Sequence, residues 1–430
     1  MDSINRTGKK TTDVSVHPFT VVTEILPGRL ESLTHLLNKI GDNPSNNSYI
    51  SLSKVKCVHF ASWTILAEDP NYTPLLVFEA SYDGELESFL DELILHGRPA
   101  LDQIYSFCKD CPSSGTANET AFKQYLSAAD HRPASFFVGL PDQTAASILN
   151  AVEVRKAAAY IIDASRSRGT LQGLSPEDVW NLVHHCFQKE GLPPLLGSSV
   201  TLEEEQRIQN RNTVLGFVLG IPIMLCLSPL LLLDLLAVRA LEMREEIEGQ
   251  GPALRDHRTF DETNEAQNHM VTLVDVKPGP VRLWTLKSVL WLFDFAGAAL
   301  QRSGTILGLS TIHFVRWVLV DNQRRLLFVA DYDGRWAAYL GDFIDCASFV
   351  ITAIWSNTKD FPTSKWLLLQ GARQANEFKQ WTRDHNLKSL VWYSAYPDST
   401  VRSLRKDIAI RDGLASGHPT TTAEDLLRLL

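Results

Sequence analysis

Val58-His59-Phe60-Ala61-Ser62-Trp63, followed by Val77-Phe78-Glu79-Ala80-Ser81-Tyr82-Asp83-Gly84, is answered about 250 residues later. The second version reads Ile312-His313-Phe314-Val315-Arg316-Trp317, then Leu327-Phe328-Val329-Ala330-Asp331-Tyr332-Asp333-Gly334. The match continues on both sides. Pro27-Gly28 answers Pro278-Gly279, Lys109-Asp110 answers Lys359-Asp360, and Phe122-Lys123-Gln124 answers Phe378-Lys379-Gln380. Asp130-His131 answers Asp384-His385, and Pro141-Asp142 answers Pro397-Asp398. A self-match of this length is a duplicated domain rather than a solenoid unit. It divides the chain into a polar lead (1–16), repeat 1 (17–157), a helical linker (158–266), repeat 2 (267–415) and a tail (416–430).

Within each copy the hydrophobic pattern alternates between strand and helix periods. A Val/Thr-rich strand, Phe19–Ile25 or Val271–Val276, meets Pro-Gly and then a helix, Leu30–Ile40 or Val281–Leu292. Two strands follow, His59–Leu66 and Leu75–Ser81 in the first copy, His313–Val320 and Leu326–Asp331 in the second. The polar link Asp321-Asn322-Gln323-Arg324 suits a hairpin. A helix begins after Tyr-Asp-Gly, and a last strand, Ser135–Gly139 or Ser389–Ser394, is expected to close each copy. Alternation predicts that His59, Ala61 and Trp63 share one face, and that Leu76, Phe78, Ala80 and Tyr82 share another.

The predicted class is therefore α+β, with two tandem ferredoxin-like βαββαβ domains. Their order resembles the dimeric α/β-barrel superfamily, here as a fused tandem. The resemblance implies sheets packed face to face, either as one barrel within the chain or as a homodimer between molecules.

Composition narrows the partners. Net charge is −9 and no Lys/Arg-rich run occurs, which argues against nucleic acid. Six cysteines in 430 residues give no disulfide framework, so a reducing compartment is expected. The lead lacks the apolar stretch of a secretory signal.

The linker carries two signals. Ser175-Pro176-Glu177-Asp178 reads as a helix start, with Ser175 as N-cap. Residues 213–238 form a nearly unbroken apolar run, which as one helix would reach about 39 Å, beyond the roughly 30 Å hydrocarbon core. This predicts a membrane-associated protein with its main domains in the cytoplasm. Pro222 and Pro229 favour a break in that helix. A single span would part the two copies, so two packages compete: a true span with copies pairing between molecules, or a monotopic anchor with pairing inside the chain.

Residues retained in both copies are expected to serve the fold. Those held by one copy, Arg316 and Asp331 or Cys108 and Cys111, are where special function is sought. Cys108-Lys109-Asp110-Cys111 has redox or metal spacing, but copy two keeps only Lys359-Asp360. The dye-decolorizing peroxidases, haem enzymes of the barrel superfamily, carry Gly-x-x-Asp-Gly, whose Asp assists peroxide cleavage. Ala330-Asp331-Tyr332-Asp333-Gly334 is similar, with Ala in place of the first Gly and no proximal-His helix after it. That resemblance implies a haem cofactor. Two functions stand side by side: a membrane-tethered scaffold or module binding a hydrophobic ligand or protein partner, and an oxidative or lipid-modifying enzyme. In the second, His313, Arg316, Tyr332 and Asp333 are the expected catalytic residues, with Arg316 holding an anion or carboxylate in a pocket of repeat 2.

Overall fold

The computed structural model describes residues 16–67, 69–189, 192–195, 229–246, 266–300, 308–416, and the single positions 424 and 427. The chain is mixed α/β, with three antiparallel sheets among the described residues. The first copy runs β1 (Val16–Glu24), α1 (Leu30–Gly41), β2 (Val58–Leu66), β3 (Leu75–Asp83), α2 (Leu86–Tyr105), α3 (Glu119–Ala128) and β4 (Ser135–Val138). Helices α4 (Ala145–Ser167), α5 (Pro176–Phe187) and α6 (229–246) follow. The second copy runs β5 (Gln267–Asp275), α7 (Pro280–Leu300), β6 (Ile312–Val320), β7 (Arg325–Asp333) and α8 (Trp336–Trp355). It continues with β8 (Ser364–Lys365), β9 (Leu369–Gln370), α9 (Ala375–Asp384), β10 (Asn386–Leu387), β11 (Ser389–Ser394) and α10 (Val401–Ser416).

The last strands do not close their own copies as the sequence leads one to expect. The first sheet has the order β1-β3-β2-β11 and the second β10-β5-β7-β6-β4. Thus β4 pairs with β6 of the second copy, and β11 pairs with β2 of the first. Order β1-β3-β2 leaves β2 an open edge, as β5-β7-β6 leaves β6, and open edges demand a partner. Each copy supplies the other's. Gly139, just past β4, permits the close approach: a Cβ there would lie 2.1 Å from the Ile312 carbonyl oxygen. Gly41 does the same at the other seam, where a Cβ would lie 2.0 Å from the Leu390 oxygen.

Each sheet buries one face under its own helices. Phe19, Trp63, Phe78 and Tyr82 pack with Leu33, Leu37, Phe89 and Leu93 in the first copy. Trp317, Phe328 and Tyr332 pack with Leu286, Tyr339, Phe343 and Trp355 in the second. The opposite faces meet each other. Leu66, Leu75 and Val77 pack on Val318, Val320, Leu327 and Val329, and Phe60 packs on Phe314. A fully buried side chain of this size contributes roughly 1.5–3 kcal/mol, so this seam is a core shared by both copies.

Strand alternation holds for Leu76, Phe78, Ala80 and Tyr82, which all lie in the helix-side core. It fails at His59. Register shifts between Val58 and Phe60, and again between Ile312 and Phe314. A bulge inserts one extra residue and re-aims it. Ala61 and Trp63 stay on the helix side, whereas His59 turns to the sheet–sheet side and packs against Phe314.

The linker begins as the sequence predicts: Ser175 and Asp178 form a reciprocal capping box with Pro176 at the first turn. The apolar run differs. Residues 213–228 lie outside the described residues, but 229–238 are part of α6, which docks on copy two. Val238 is fully buried beside Ala353 and Leu367, and Thr285 donates to Asp234 at 2.8 Å. One described helix, α8, is long and apolar enough to cross a membrane. Half of it is buried, and its outer side carries exposed Asp342 and Asp345. Its inner stripe, with Tyr339, Phe343 and Trp355, covers sheet two.

Candidate functional site

The seam between the sheets has three zones. One end is aliphatic, the other aromatic, and the middle is charged. In the middle, Arg316 of β6 reaches across to the first copy. Its guanidinium donates to the Phe19 and Ala80 carbonyls (3.2 and 3.0 Å), to Thr20 Oγ1 and to Ser81 Oγ, and lies 3.1 Å from Glu79. The Phe136 ring of the exchanged strand β4 covers it at 5.4 Å. Beside this pair, His269 of β5 donates from Nδ1 to Asp331 Oδ1 at 2.8 Å, and the Trp392 indole donates to the same oxygen at 3.1 Å. Trp392 belongs to β11, so both exchanged strands contribute an aromatic lid.

Arg316, Glu79 and Asp331 are each 1 % exposed. Burial raises the Glu79 carboxyl above the ordinary carboxylate range, and Arg316 opposes that shift. Burial works against a charge on His269, but the Asp331 carboxylate outweighs it and raises the imidazole pKa. Two acidic side chains, Glu79 and Asp331, thus face two basic ones, Arg316 and His269, in a dry interior. Ligand atoms of Glu79, His269 and Asp331 lie within 4.8 Å of one another, a grouping among the described residues that could hold a metal. A divalent ion here would lie beside the buried Arg316 guanidinium, and like charges crowded in a dry interior are strongly disfavoured. The arrangement is best satisfied as an ion tetrad joining the copies.

The aromatic zone holds a pseudo-twofold pair of histidine–aspartate contacts. His59 Nε2 donates to Asp83 Oδ1 at 2.7 Å, and His313 Nε2 to Asp333 Oδ1 at 2.8 Å. The other carboxylate oxygen accepts a helix amide: Ala145 N–H of α4 for Asp83, and Val401 N–H of α10 for Asp333, both at 2.8 Å. The repeated Tyr-Asp-Gly therefore caps a helix, but the one after the last strand rather than the one that follows directly. Tyr396 is asymmetric, its hydroxyl meeting His59 Nδ1 at 2.9 Å.

The four residues expected to be catalytic do not converge. His313 and Asp333 hold α10, and Arg316 is engaged by copy one. Tyr332 lies on the opposite face of the sheet, stacked on Tyr339 at 3.9 Å. Arg316 thus binds a carboxylate, but an internal one. The site does not fit haem: the ring of His313, 1 % exposed, is packed on Phe60 and Tyr396, and its Nε2 is bonded to Asp333. A cavity in repeat 2 lies on the helix side, lined by Met270, Trp317, Phe328, Tyr339 and Trp381. Its volume of about 20 Å³ holds one water rather than an organic ligand.

The Cys-x-x-Cys pair is equally inert. Cys108 is buried and free, and burial raises its thiol pKa to about 11; the Cys111 thiol is raised by the same cause. Reactive thiols need the opposite shift. The retained Lys-Asp is structural in both copies. Lys109 pairs with Glu24 and Lys359 with Asp275, each at 2.9 Å, while Asp110 and Asp360 take left-handed backbone angles after α2 and α8. His385 donates from Nδ1 to the Trp381 carbonyl at 2.8 Å.

Glu79 and His269 are the functional-looking residues that sequence reasoning passed over. Their signal was present, since copy one has Pro18 where copy two has His269, and copy two has Val329 where copy one has Glu79. Comparisons of the chain with protein-family models, curated proteins and solved structures gave no match.

Proposed function

We propose that this chain is a membrane-apposed, non-catalytic scaffold or binding module. Its two copies form a fused counterpart of a dimeric α/β barrel, held on the cytoplasmic face by the apolar run 213–238. The strand exchange carries this reading. Copies that complete each other's sheets stand on the same side of any bilayer, so a run between them enters and returns or lies in the interface. Lipid is then the first partner, and a protein or hydrophobic ligand the second. The enzyme alternative draws less support, because Arg316 is taken up by copy one and His313 and Asp333 by the cap of α10.

Protease added to sealed, cytoplasmic-side-out vesicles tests the topology. Both copies should be digested at the same rate, with protection confined to the neighbourhood of 213–238. A protected copy would overturn the monotopic arrangement. Release of the whole chain by alkaline carbonate, without detergent, would overturn stable anchoring.

A further inference from the structure

The β8–β9 hairpin exists only in copy two. Between Pro112 and Gly115, copy one has Ser113-Ser114; between Pro362 and Gly371, copy two has Thr363-Ser364-Lys365-Trp366-Leu367-Leu368-Leu369-Gln370. The tip is apolar and exposed: Trp366 is 43 %, Leu368 42 % and Leu369 50 % accessible. It is also strained. Trp366 and Leu367 take φ of +55° and +63°, a conformation that bulky side chains rarely adopt. A connection needing only to turn would use Gly or Asn there.

Glu242 of α6 holds the turn in place. Its buried carboxylate accepts from Trp366 N–H (2.8 Å), Leu367 N–H (3.0 Å) and Ser364 Oγ (3.0 Å). Leu367 packs inward beside Val238 of α6. The same helix exposes Leu230, Leu232, Leu233 and Leu236, and the apolar run 213–228 leads directly into it. A strained tip is therefore clamped to the helix that continues the anchor, with large apolar side chains facing outward on both.

We propose that this tip and the outer face of α6 form a bilayer-insertion surface, with Trp366, Leu368 and Leu369 entering the headgroup–acyl boundary of one leaflet. The occupant is lipid because the surface is continuous with the longest apolar stretch of the chain. Tryptophan also favours the membrane–water boundary, where an amphipathic helix face embeds in the same layer. The inference rests on the membrane reading above and names the contact surface for it.

Flotation of the full chain with phosphatidylcholine vesicles tests it. Trp366→Asp/Leu368→Asp should lower the partition coefficient by at least about tenfold, given the apolar area withdrawn from lipid. Leu95→Asp, an equally drastic change at an exposed site on α2, should leave it unchanged. Vesicles with brominated acyl chains should quench the wild type more than Trp366→Phe, a substitution that leaves the fold intact. Equal partition of the tip variant and equal quenching would overturn the insertion surface, while the whole-chain membrane reading survives on 213–238. Absence of wild-type binding would instead overturn that reading. A shift from dimer to monomer in the tip variant, with partition unchanged, would assign the patch to a second copy.

Discussion

Replacing Arg316 by methionine should separate the two copies energetically. The substitution keeps an unbranched side chain but removes the guanidinium that contacts Glu79, Thr20, Ser81 and the Phe19 and Ala80 carbonyls. Glu79 is then a carboxylate with 1 % exposure that has lost its guanidinium partner. Breaking a buried pair from one side costs roughly 3–5 kcal/mol. The part due to stranded charge has a ceiling, because Glu79 can escape by taking up a proton. From an ordinary carboxyl pKa near 4.3, protonation at pH 7 costs about 3.7 kcal/mol, and at pH 5 about 1 kcal/mol. Burial already raises the folded pKa of Glu79, and loss of the opposing Arg316 raises it further above the unfolded value. Stability is therefore present at low pH and lost as pH rises through the folded pKa. Urea unfolding followed by circular dichroism should show a deficit of about 3–5 kcal/mol at pH 7 that shrinks by about 2–3 kcal/mol at pH 5. Removing both charges with Glu79→Leu should recover most of it, giving a coupling energy of about 2–3 kcal/mol. A variant as stable as wild type at pH 7, or a deficit independent of pH, would refute the tetrad as the link between copies.

Two further changes probe the same seam. Asp333→Ala removes a helix cap worth about 1 kcal/mol and leaves His313 with a buried unmatched nitrogen worth about 1–3 kcal/mol. Asp333→Asn, which can still accept from Val401 N–H, should recover at least half of that loss in thermal unfolding; equal melting of the Ala variant and wild type would remove the structural role. The raised pKa of His269 contributes stability that is complete below about pH 6.5 and is lost as pH rises through the folded value. The difference in urea midpoint between wild type and His269→Asn should therefore narrow from pH 6 to pH 9, and a constant difference would argue that His269 is uncharged throughout.

Much of this was legible in the residues. Elements that depend on local patterning came through: the duplicated strand–helix order, the hairpin at Asp321–Arg324, the Ser175 capping box and the helix-side face of β3. The elements misread were those whose outcome is set by partners remote in the chain. His59 left its expected face because a bulge shifts the register against β3, and nothing in its own alternation signals a bulge. Asp333 was expected to be catalytic and instead caps α10, a helix that arrives more than sixty residues later. Arg316 and Asp331 were selected correctly as copy-specific, yet their partners, Glu79 and His269, come from strands that no spacing rule connects to them.

Duplication, periodicity and charge thus determined that two α/β units flank an apolar segment, because side-chain period and turn chemistry are properties of neighbouring residues. Only the tertiary structure decided that the units are interlocked rather than merely repeated. An open edge on β2 accepts any strand of suitable length; β11 takes it rather than β4, while α4 and α10 pack on each other. That choice turned Arg316 from a presumed catalytic residue into a bond between the two halves, and His313 and Asp333 into the cap of α10.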